Sequence, residues 1–169
     1  EINTDVSSQN QVSYSINNAD AVTPFNFSGI NSLYNISGLR NATTVEVGDF
    51  DKDGFSDFIV GTKSNDNEFY LVNPLANSPL ISVVAIDKPF STDVSALKLV
   101  DVNNDNYLDI IASFIDTSDE QNNTTKVYLN DQQPLPYKHS SLGVTVATGL
   151  YSAGKSIVAG NFDEDGNVD

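Results

Sequence analysis

The feature that most constrains this chain is an acidic segment, GDFDKDGFSD, at residues 48–57. Counted from Asp49, its aspartates stand at positions 1, 3, 5 and 9 of a nine-residue loop, with a glycine at position 6: Asp49, Asp51, Asp53, Gly54 and Asp57. Carboxylates packed this closely repel one another unless a cation lies between them. Oxygen ligands at alternate positions suit Ca²⁺, which takes about six to eight of them. The segment therefore predicts a calcium site.

The glycine and the flanking residues indicate what kind of site this is. Gly54 permits a positive-φ turn that bends the chain back, so the carbonyl of Phe55 can supply a further oxygen before Asp57 closes the shell. An EF-hand would close with a glutamate at position 12, where this chain has Val60, and the flanks TVEV and DFIVG are typical of strands. The loop therefore predicts a turn between two strands. For one isolated copy, a solvated Asp/Gly-rich turn without metal is the alternative.

The loop is not isolated. The segments VDVNNDNYLD at 100–109 and GNFDEDGNVD at 160–169 repeat its design, each after an apolar run. The first positions of the three loops are Asp49, Asp101 and Asn161, which are 52 and 60 residues apart. Three copies in register predict a repeat architecture.

The segments between the loops predict strands. In the first repeat these are TVEVGDF, which alternates as a half-buried strand does, then DFIVGTK, FYLVN (69–73) and LISVVAI (80–86). The second repeat has ALKLVDV, LDIIASFI, TKVYLN and LGVTVAT (142–148), and the third has SIVAGNF and its loop. No window sustains a helical period. The prediction is an all-β protein of four-stranded antiparallel units, with one calcium loop between the first and second strand of each.

These units divide the sequence into four parts. Residues 1–40 are the end of a preceding unit or a connecting segment, 41–93 and 94–152 are full units, and 153–169 begin a further one.

The repeats resemble the FG-GAP/VCBS family, the blades of β-propellers of the integrin α-subunit type. The resemblance is carried by VEVGDFDKDGFSDFIVG, LKLVDVNNDNYLDIIAS and IVAGNFDEDGNVD, and it covers roughly residues 40–169. The Phe-Gly and Gly-Ala-Pro signatures of the integrin version are absent, so the looser VCBS type is the better comparison. A closed propeller has about four to eight blades, and a chain of this length supplies two to three, so we expect part of a propeller.

The resemblance implies a ligand set for each loop, transferred position by position. The side chains or, at position 7, the carbonyls are expected to bind calcium at Asp49, Asp51, Asp53, Phe55 and Asp57; at Asp101, Asn103, Asp105, Tyr107 and Asp109; and at Asn161, Asp163, Asp165, Asn167 and Asp169. The first loop offers four carboxylates and the others three each. Because ligand charge tunes calcium affinity, the first loop is predicted to bind most tightly.

Composition restricts the partners. The net charge is −15, from 23 acidic and 8 basic residues. No basic patch exists to meet phosphate, which argues against nucleic acid and anionic membranes. No apolar run is long enough for a transmembrane helix. Without cysteine, an extracellular chain needs ionic cross-links of the kind that calcium provides. The expected location is extracellular or at the cell surface, as in many proteins of the resembled family.

Catalysis and glycosylation have weaker signals. The one histidine, His139, lies in a Pro-rich segment, and neither a nucleophile motif nor a zinc cluster appears. Paired carboxylates suggest a glycosidase, but their recurrence in every repeat favours metal binding. Sequons mark candidate glycosylation sites, although this composition yields roughly three or four by chance; they are Asn26, Asn35, Asn41, Asn122 and Asn123.

Three function classes follow. The first is a non-catalytic, calcium-stabilised extracellular module that recognises a protein or glycan, as in adhesion. The second is a structural subunit of an extracellular filament or surface assembly, which pairs open blade edges between chains. The third is an accessory propeller domain of a secreted enzyme. Sequence alone does not identify the ligand, because propeller faces vary on a common scaffold.

Overall fold

The strand-rich segments form two four-stranded antiparallel sheets in the computed structural model. It describes residues 41–63, 69–73, 80–84, 92–119, 122–132, 144–150 and 154–169. The first sheet has the order β1-β2-β3-β4 and the second β5-β6-β7-β8. The strands are β1 (Ala42–Gly48), β2 (Asp57–Thr62), β3 (Phe69–Asn73), β4 (Leu80–Val84), β5 (Thr92–Val100), β6 (Asp109–Asp116), β7 (Asn123–Tyr128) and β8 (Val144–Leu150).

This arrangement confirms the all-β prediction and the four-stranded antiparallel unit. The first two acidic loops lie where predicted, between the first and second strand of their sheets, where the ladders end with Gly48 paired to Asp57 and Val100 paired to Asp109. The predicted limits of the four parts of the sequence stay predictions. Within the described segments, no helix has the length and apolarity that crossing a bilayer requires.

Several predictions fall on residues outside those ranges. They are the assignment of residues 1–40 to a preceding unit or a connecting segment, the sequons at Asn26 and Asn35, and the surroundings of His139. The chain divides into the units Glu1–Asn41 and Ala42–Asp169, and the second contains both sheets.

The two sheets share a bulge at the same place in their first strands. The ladder shifts register at Thr43 in β1 and at Ser95 in β5, 52 residues later. Each bulged hydroxyl donates a 3.1 Å hydrogen bond to the carbonyl of its partner strand, at Gly61 and Ser113 respectively. A small hydroxyl residue therefore satisfies the backbone where the extra residue interrupts the ladder. The strand pattern alone did not indicate this bulge.

The hydrophobic core lies between the sheets. Leu97 and Leu99 of β5 pair with Ala112 and Ile110 of β6, which places their side chains on one face of the second sheet. Phe50 and Ile59 from the first repeat join this face. The complete buried cluster is Phe50, Ile59, Val94, Leu97, Leu99, Ile110, Ala112, Phe114 and Tyr128, with Leu108 packed against it.

The valines of β1 do not face the second sheet, although the strand alternates apolar and polar residues: Val45 is 45% and Val47 56% exposed. The opposite face meets the second sheet: a Cβ on Gly48 would touch Leu99, and Glu46 forms a 3.1 Å ion pair with Lys98. Alternation identifies two faces of a strand, but tertiary packing decides which one is covered.

The third repeat contains less regular structure than predicted. SIVAGNF (156–162) does not form a strand; Gly160 and Asp169 exchange two backbone hydrogen bonds of 3.3 and 2.9 Å. A strand needs a ladder of such pairs, and within the described residues this segment has the one between Gly160 and Asp169. The Ser95 hydroxyl, whose Oγ lies 2.9 Å from the carbonyl oxygen of Gly154, shares its proton between this carbonyl and that of Ser113 and so attaches the segment to the second sheet.

Close approach of the sheets predicts a steric effect at Gly61. A Cβ there would lie 2.6 Å from Val94 Cγ1 and 2.9 Å from Thr44 Cγ2. Gly61→Ala should lower the free energy of unfolding by about 1–3 kcal/mol, because overpacking forces the sheets apart. Chemical denaturation measures this change.

Gly154→Ala is the matched control. Its added methyl would meet Ser113 Oγ at 3.5 Å, an ordinary contact, so the free energy of unfolding should change by less than about 0.5 kcal/mol. Equal losses in both variants would contradict the tight contact at Gly61.

Candidate metal centre

The three acidic loops share a framework in which their own carboxylates bind their own backbone. The carboxylate at position 5 accepts a hydrogen bond from the N–H at position 7, at 2.8 Å in every loop. The carboxylate at position 9 accepts one from the N–H at position 2, at 2.9, 2.9 and 2.8 Å. Such Asx-type bonds shape each loop before any ligand is considered.

Two positions of each loop have left-handed backbone. Position 6 has φ values of 90° at Gly54, 68° at Asn106 and 93° at Gly166, which confirms the predicted turn at Gly54. Position 4 also has positive φ, 60° at Lys52 and 64° at Glu164. This second turn was missed because neither residue type favours that region; Asn104, with φ 58° at the equivalent place, carried the available signal.

The first loop brings three carboxylates together. One oxygen from each of Asp49, Asp51 and Asp57 lies within 4.8 Å of the others. Asp57 is fully buried, and neither its Oδ1 nor the buried Oδ1 of Asp49 has a hydrogen-bond partner. Buried carboxylate oxygens without donors are costly unless a cation meets them. This group can therefore hold a metal ion.

The remaining predicted ligands of the first loop are placed differently. Asp53 lies outside the three-carboxylate group, and its Oδ1 accepts the Phe55 N–H. Phe55 is 52% exposed at the tip of the loop. The roles of Asp53 and of the Phe55 carbonyl in metal binding stay predictions.

The carboxylates of the second loop have donors on both oxygens. Asp101 accepts bonds from the N–H groups of Asp105 (3.1 Å) and Asn106 (2.7 Å). Asp109 accepts bonds from Val102 (2.9 Å) and from Asn130 (2.8 Å). Among the residues that the structure describes, the carboxylate group close enough to hold a metal belongs to the first loop.

Two other predicted ligands of the second loop, Asn103 and Asp105, bind each other. Asn103 Nδ2 donates a 3.0 Å bond to Asp105 Oδ2. Tyr107, at position 7, lies under Lys52 of the first loop, with the ammonium 4.2 Å from the ring centroid. The two loops are therefore neighbours at one end of the sheets.

The third loop is more open than the others. Its predicted ligands Asn161, Asp163, Asp165, Asn167 and Asp169 are all exposed. Asp163 Oδ1 accepts the Asp165 N–H at 3.1 Å, and Asn167 Nδ2 donates to Asp165 Oδ2 at 2.9 Å. The shared framework is present, without the burial of the first loop.

The comparison with protein families agrees with this repeat. Residues 49–112 match the family model described as an FG-GAP-like repeat. This segment is an FG-GAP-like repeat. FG-GAP repeats are β-propeller blades, so the match confirms both the expected family and the expectation of a partial propeller. Searches of the curated proteins and of the solved structures gave no match.

Electrostatics within the FG-GAP-like repeat follow from burial. Burial raises the pKa of Asp57 to about 7, and it also raises the pKa values of Asp51 and Asp109. The pKa of Asp105 is lowered, chiefly by the Tyr107 N–H that stabilises its charged form. The first loop thus holds charge at an energetic cost that a bound cation would relieve.

Asn130 is a residue of this site that the sequence interpretation missed. It lies 18 residues beyond the end of the repeat match, is 6% exposed, and its Nδ2 donates to the carbonyls of Phe50 (3.0 Å) and Leu108 (3.2 Å). It therefore joins the first loop to the second. An isolated asparagine after a strand carries no sequence signal for a partner 80 residues away.

Three sequons lie within the described residues. Asn41 and Asn122 are exposed. Asn123 differs from them: it begins β7, is 3% exposed, and its Oδ1 accepts the Asp116 N–H at 3.0 Å. A glycan on Asn123 does not fit this folded chain, because the modified amide would have to leave the interior.

The raised pKa of Asp57 predicts how metal-free stability depends on pH. Between its ordinary value and about 7, the folded chain holds a proton at Asp57 that the unfolded chain has lost. Unfolding then releases a proton, so the free energy of unfolding should fall as pH rises through this window. Thermal melts in chelator from about pH 5 to about pH 8 measure the slope.

Asp57→Asn is the control, because the amide cannot titrate. The slope should be shallower in this variant. If both proteins show the same slope, Asp57 is not the group responsible.

Proposed function

We propose that this chain is a calcium-stabilised, non-catalytic β-propeller module that works outside the cell or at its surface and recognises a protein or glycan. One observation carries the proposal: the buried oxygens Asp49 Oδ1 and Asp57 Oδ1 have no hydrogen-bond donor and stand beside Asp51 in one loop. A cation is the group that satisfies all three carboxylates together.

The donor set favours calcium among the common cations. Ca²⁺ binds oxygens at about 2.3–2.6 Å, so two ligands on opposite sides of the ion are about 4.6–5.2 Å apart. The carboxylate oxygens of Asp49, Asp51 and Asp57, all within 4.8 Å of one another, fit that shell. Mg²⁺ binds at about 2.0–2.1 Å, demands octahedral geometry and keeps several waters, which suits a flexible acidic loop less well.

The ion has a structural role in this proposal. Asp57 begins β2 and its Oδ2 accepts the Phe50 N–H at 2.9 Å, so an ion bound there would fix the corner between β1 and β2. Phe50 is 2% exposed in the core between the sheets. An ion that fixes the first loop would therefore also fix Phe50 in the core between the two blades.

Recognition is proposed for the loop end of the sheets. The first two acidic loops are neighbours there, since Lys52 stacks on Tyr107, and Phe55 of the first loop has an exposed ring. Aromatic side chains are enriched in the surfaces through which proteins bind each other. FG-GAP repeats are typically non-catalytic modules of extracellular or surface proteins, which supports the proposed location and the lack of catalysis.

Calcium should raise the thermal stability of the chain. With free calcium about 100 times the dissociation constant, the free energy of unfolding rises by about 2.7 kcal/mol. We expect a higher melting temperature in calcium than in chelator, and a smaller gain in magnesium. Differential scanning calorimetry measures both shifts.

Asp51→Asn tests whether the gain comes from the first loop. The variant should lose most of the calcium-dependent shift, whereas Asp119→Asn, which removes the same charge from an exposed turn, should keep it. A melting temperature that does not respond to calcium in the unmodified chain would refute the proposal.

A further inference from the structure

The closing aspartates of the first two loops occupy the same place and differ in one hydrogen bond. Asp57 and Asp109 are both fully buried, and the Oδ2 of each accepts the position-2 N–H at 2.9 Å. Asp109 Oδ1 accepts the Asn130 N–H at 2.8 Å, whereas Asp57 Oδ1 has no partner. The second loop therefore has a donor where the first has none.

The sheet register shows which residue of the sequence accounts for the missing donor in the first loop. Val72 pairs with Phe58, and Tyr128 pairs with Ile110, which is 52 residues after Phe58. Val72 and Tyr128 are thus equivalent. The residue two further along the chain is Asn130 in the second repeat and Pro74 in the first. Proline has no backbone N–H in any conformation.

The first position of the two loops shows the same contrast. The Oδ2 atoms of Asp49 and Asp101 each accept the N–H of position 6, at 3.1 and 2.7 Å. Asp101 Oδ1 also accepts the Asp105 N–H, whereas Asp49 Oδ1 is buried without a partner. At positions 1 and 9 of the loop, the carboxylate Oδ1 atoms accept backbone N–H groups in the second repeat. The equivalent Oδ1 atoms in the first repeat have no donor.

We propose that the second loop closes without a metal ion, with Asn130 in the role that calcium has in the first loop, and that Asn130 positions the first loop for its ion. The inference rests on the proposed calcium site. It departs from the expectation that the second loop also binds calcium.

The second part of the proposal follows from the Asn130 side chain. Its amide donates to the carbonyl of Phe50, the residue whose N–H binds the closing carboxylate Asp57. The same amide donates to the carbonyl of Leu108, next to Asp109. A loop closed by hydrogen bonds thus provides a fixed support for the loop that must be closed by an ion.

A matched pair of substitutions tests whether the first and second loops differ in calcium binding. Asp49→Asn and Asp101→Asn remove the same carboxylate at position 1, where the third loop already has Asn161. Asp49→Asn should weaken the tightest calcium site at least about tenfold, because each lost charged ligand weakens calcium binding. Asp101→Asn should change that affinity by less than about threefold. Calorimetric titration with calcium, together with native mass spectrometry, measures affinity and stoichiometry.

The outcomes separate this inference from the proposed function. If the unmodified chain binds no calcium, the proposed function fails. If it binds calcium and Asp101→Asn abolishes a second site as tight as the first, the proposed function stands and the inference is overturned. Loss of tight binding in Asp49→Asn alone supports both.

Asn130→Ala tests positioning. The variant keeps the backbone N–H to Asp109 but loses the amide bonds to Phe50 and Leu108. Calcium affinity of the first loop should fall about five- to tenfold, the usual effect of one lost buried hydrogen bond. Gln132→Ala is the control, because the Gln132 side-chain amide donates to Asp105 of the second loop. The calcium affinity of the first loop should be unchanged in this variant.

A structural readout accompanies the affinity. Amide hydrogen exchange at Phe50 in the metal-free protein should be faster in Asn130→Ala than in Gln132→Ala, since the loop has lost its support. Equal exchange and equal affinity in the two variants would show that Asn130 does not position the first loop.

Discussion

The structure depends on how closely spaced carboxylates find partners. In the first two acidic loops the aspartates point inward and accept hydrogen bonds from the backbone N–H groups of their own loop, which shapes the turn from one strand to the next. The same inward orientation brings negative charges together and buries Asp57 and Asp109 completely. Every carboxylate oxygen in such a corner needs a hydrogen-bond donor or a cation. The two corners meet this need in different ways.

The corners matter beyond their own residues because they are continuous with the core. Phe50, at position 2 of the first loop, packs into the cluster between the sheets, and its carbonyl accepts a bond from Asn130. This bond joins the first repeat to the second, and Gly61 of β2 packs closely against Val94 of β5 elsewhere between the sheets. The first loop and the packing of the two blades are therefore coupled through Phe50, so the proposed ion would stabilise both blades.

Equivalent positions in the repeats differ in function because packing differs around them. Val45 and Leu97 are equivalent, 52 residues apart, yet Val45 is 45% exposed and Leu97 lies in the core. In the same way, Asp57 and Asp109 share a local hydrogen bond but only Asp109 meets Asn130. A repeat in sequence predicts a repeated backbone, and it does not predict repeated neighbours.

The amino-acid sequence by itself determined the local features of this protein. Alternation of apolar residues located the strands, the aspartates and Gly54 located the loops, and their recurrence indicated FG-GAP-like blades, because these signals depend on residues close together in the chain. The tertiary structure alone decided which face of β1 is covered, that Asn123 is buried, and that Asn130 serves Phe50 from 80 residues away. These features depend on which segments become neighbours when the sheets pack. No local pattern records that choice.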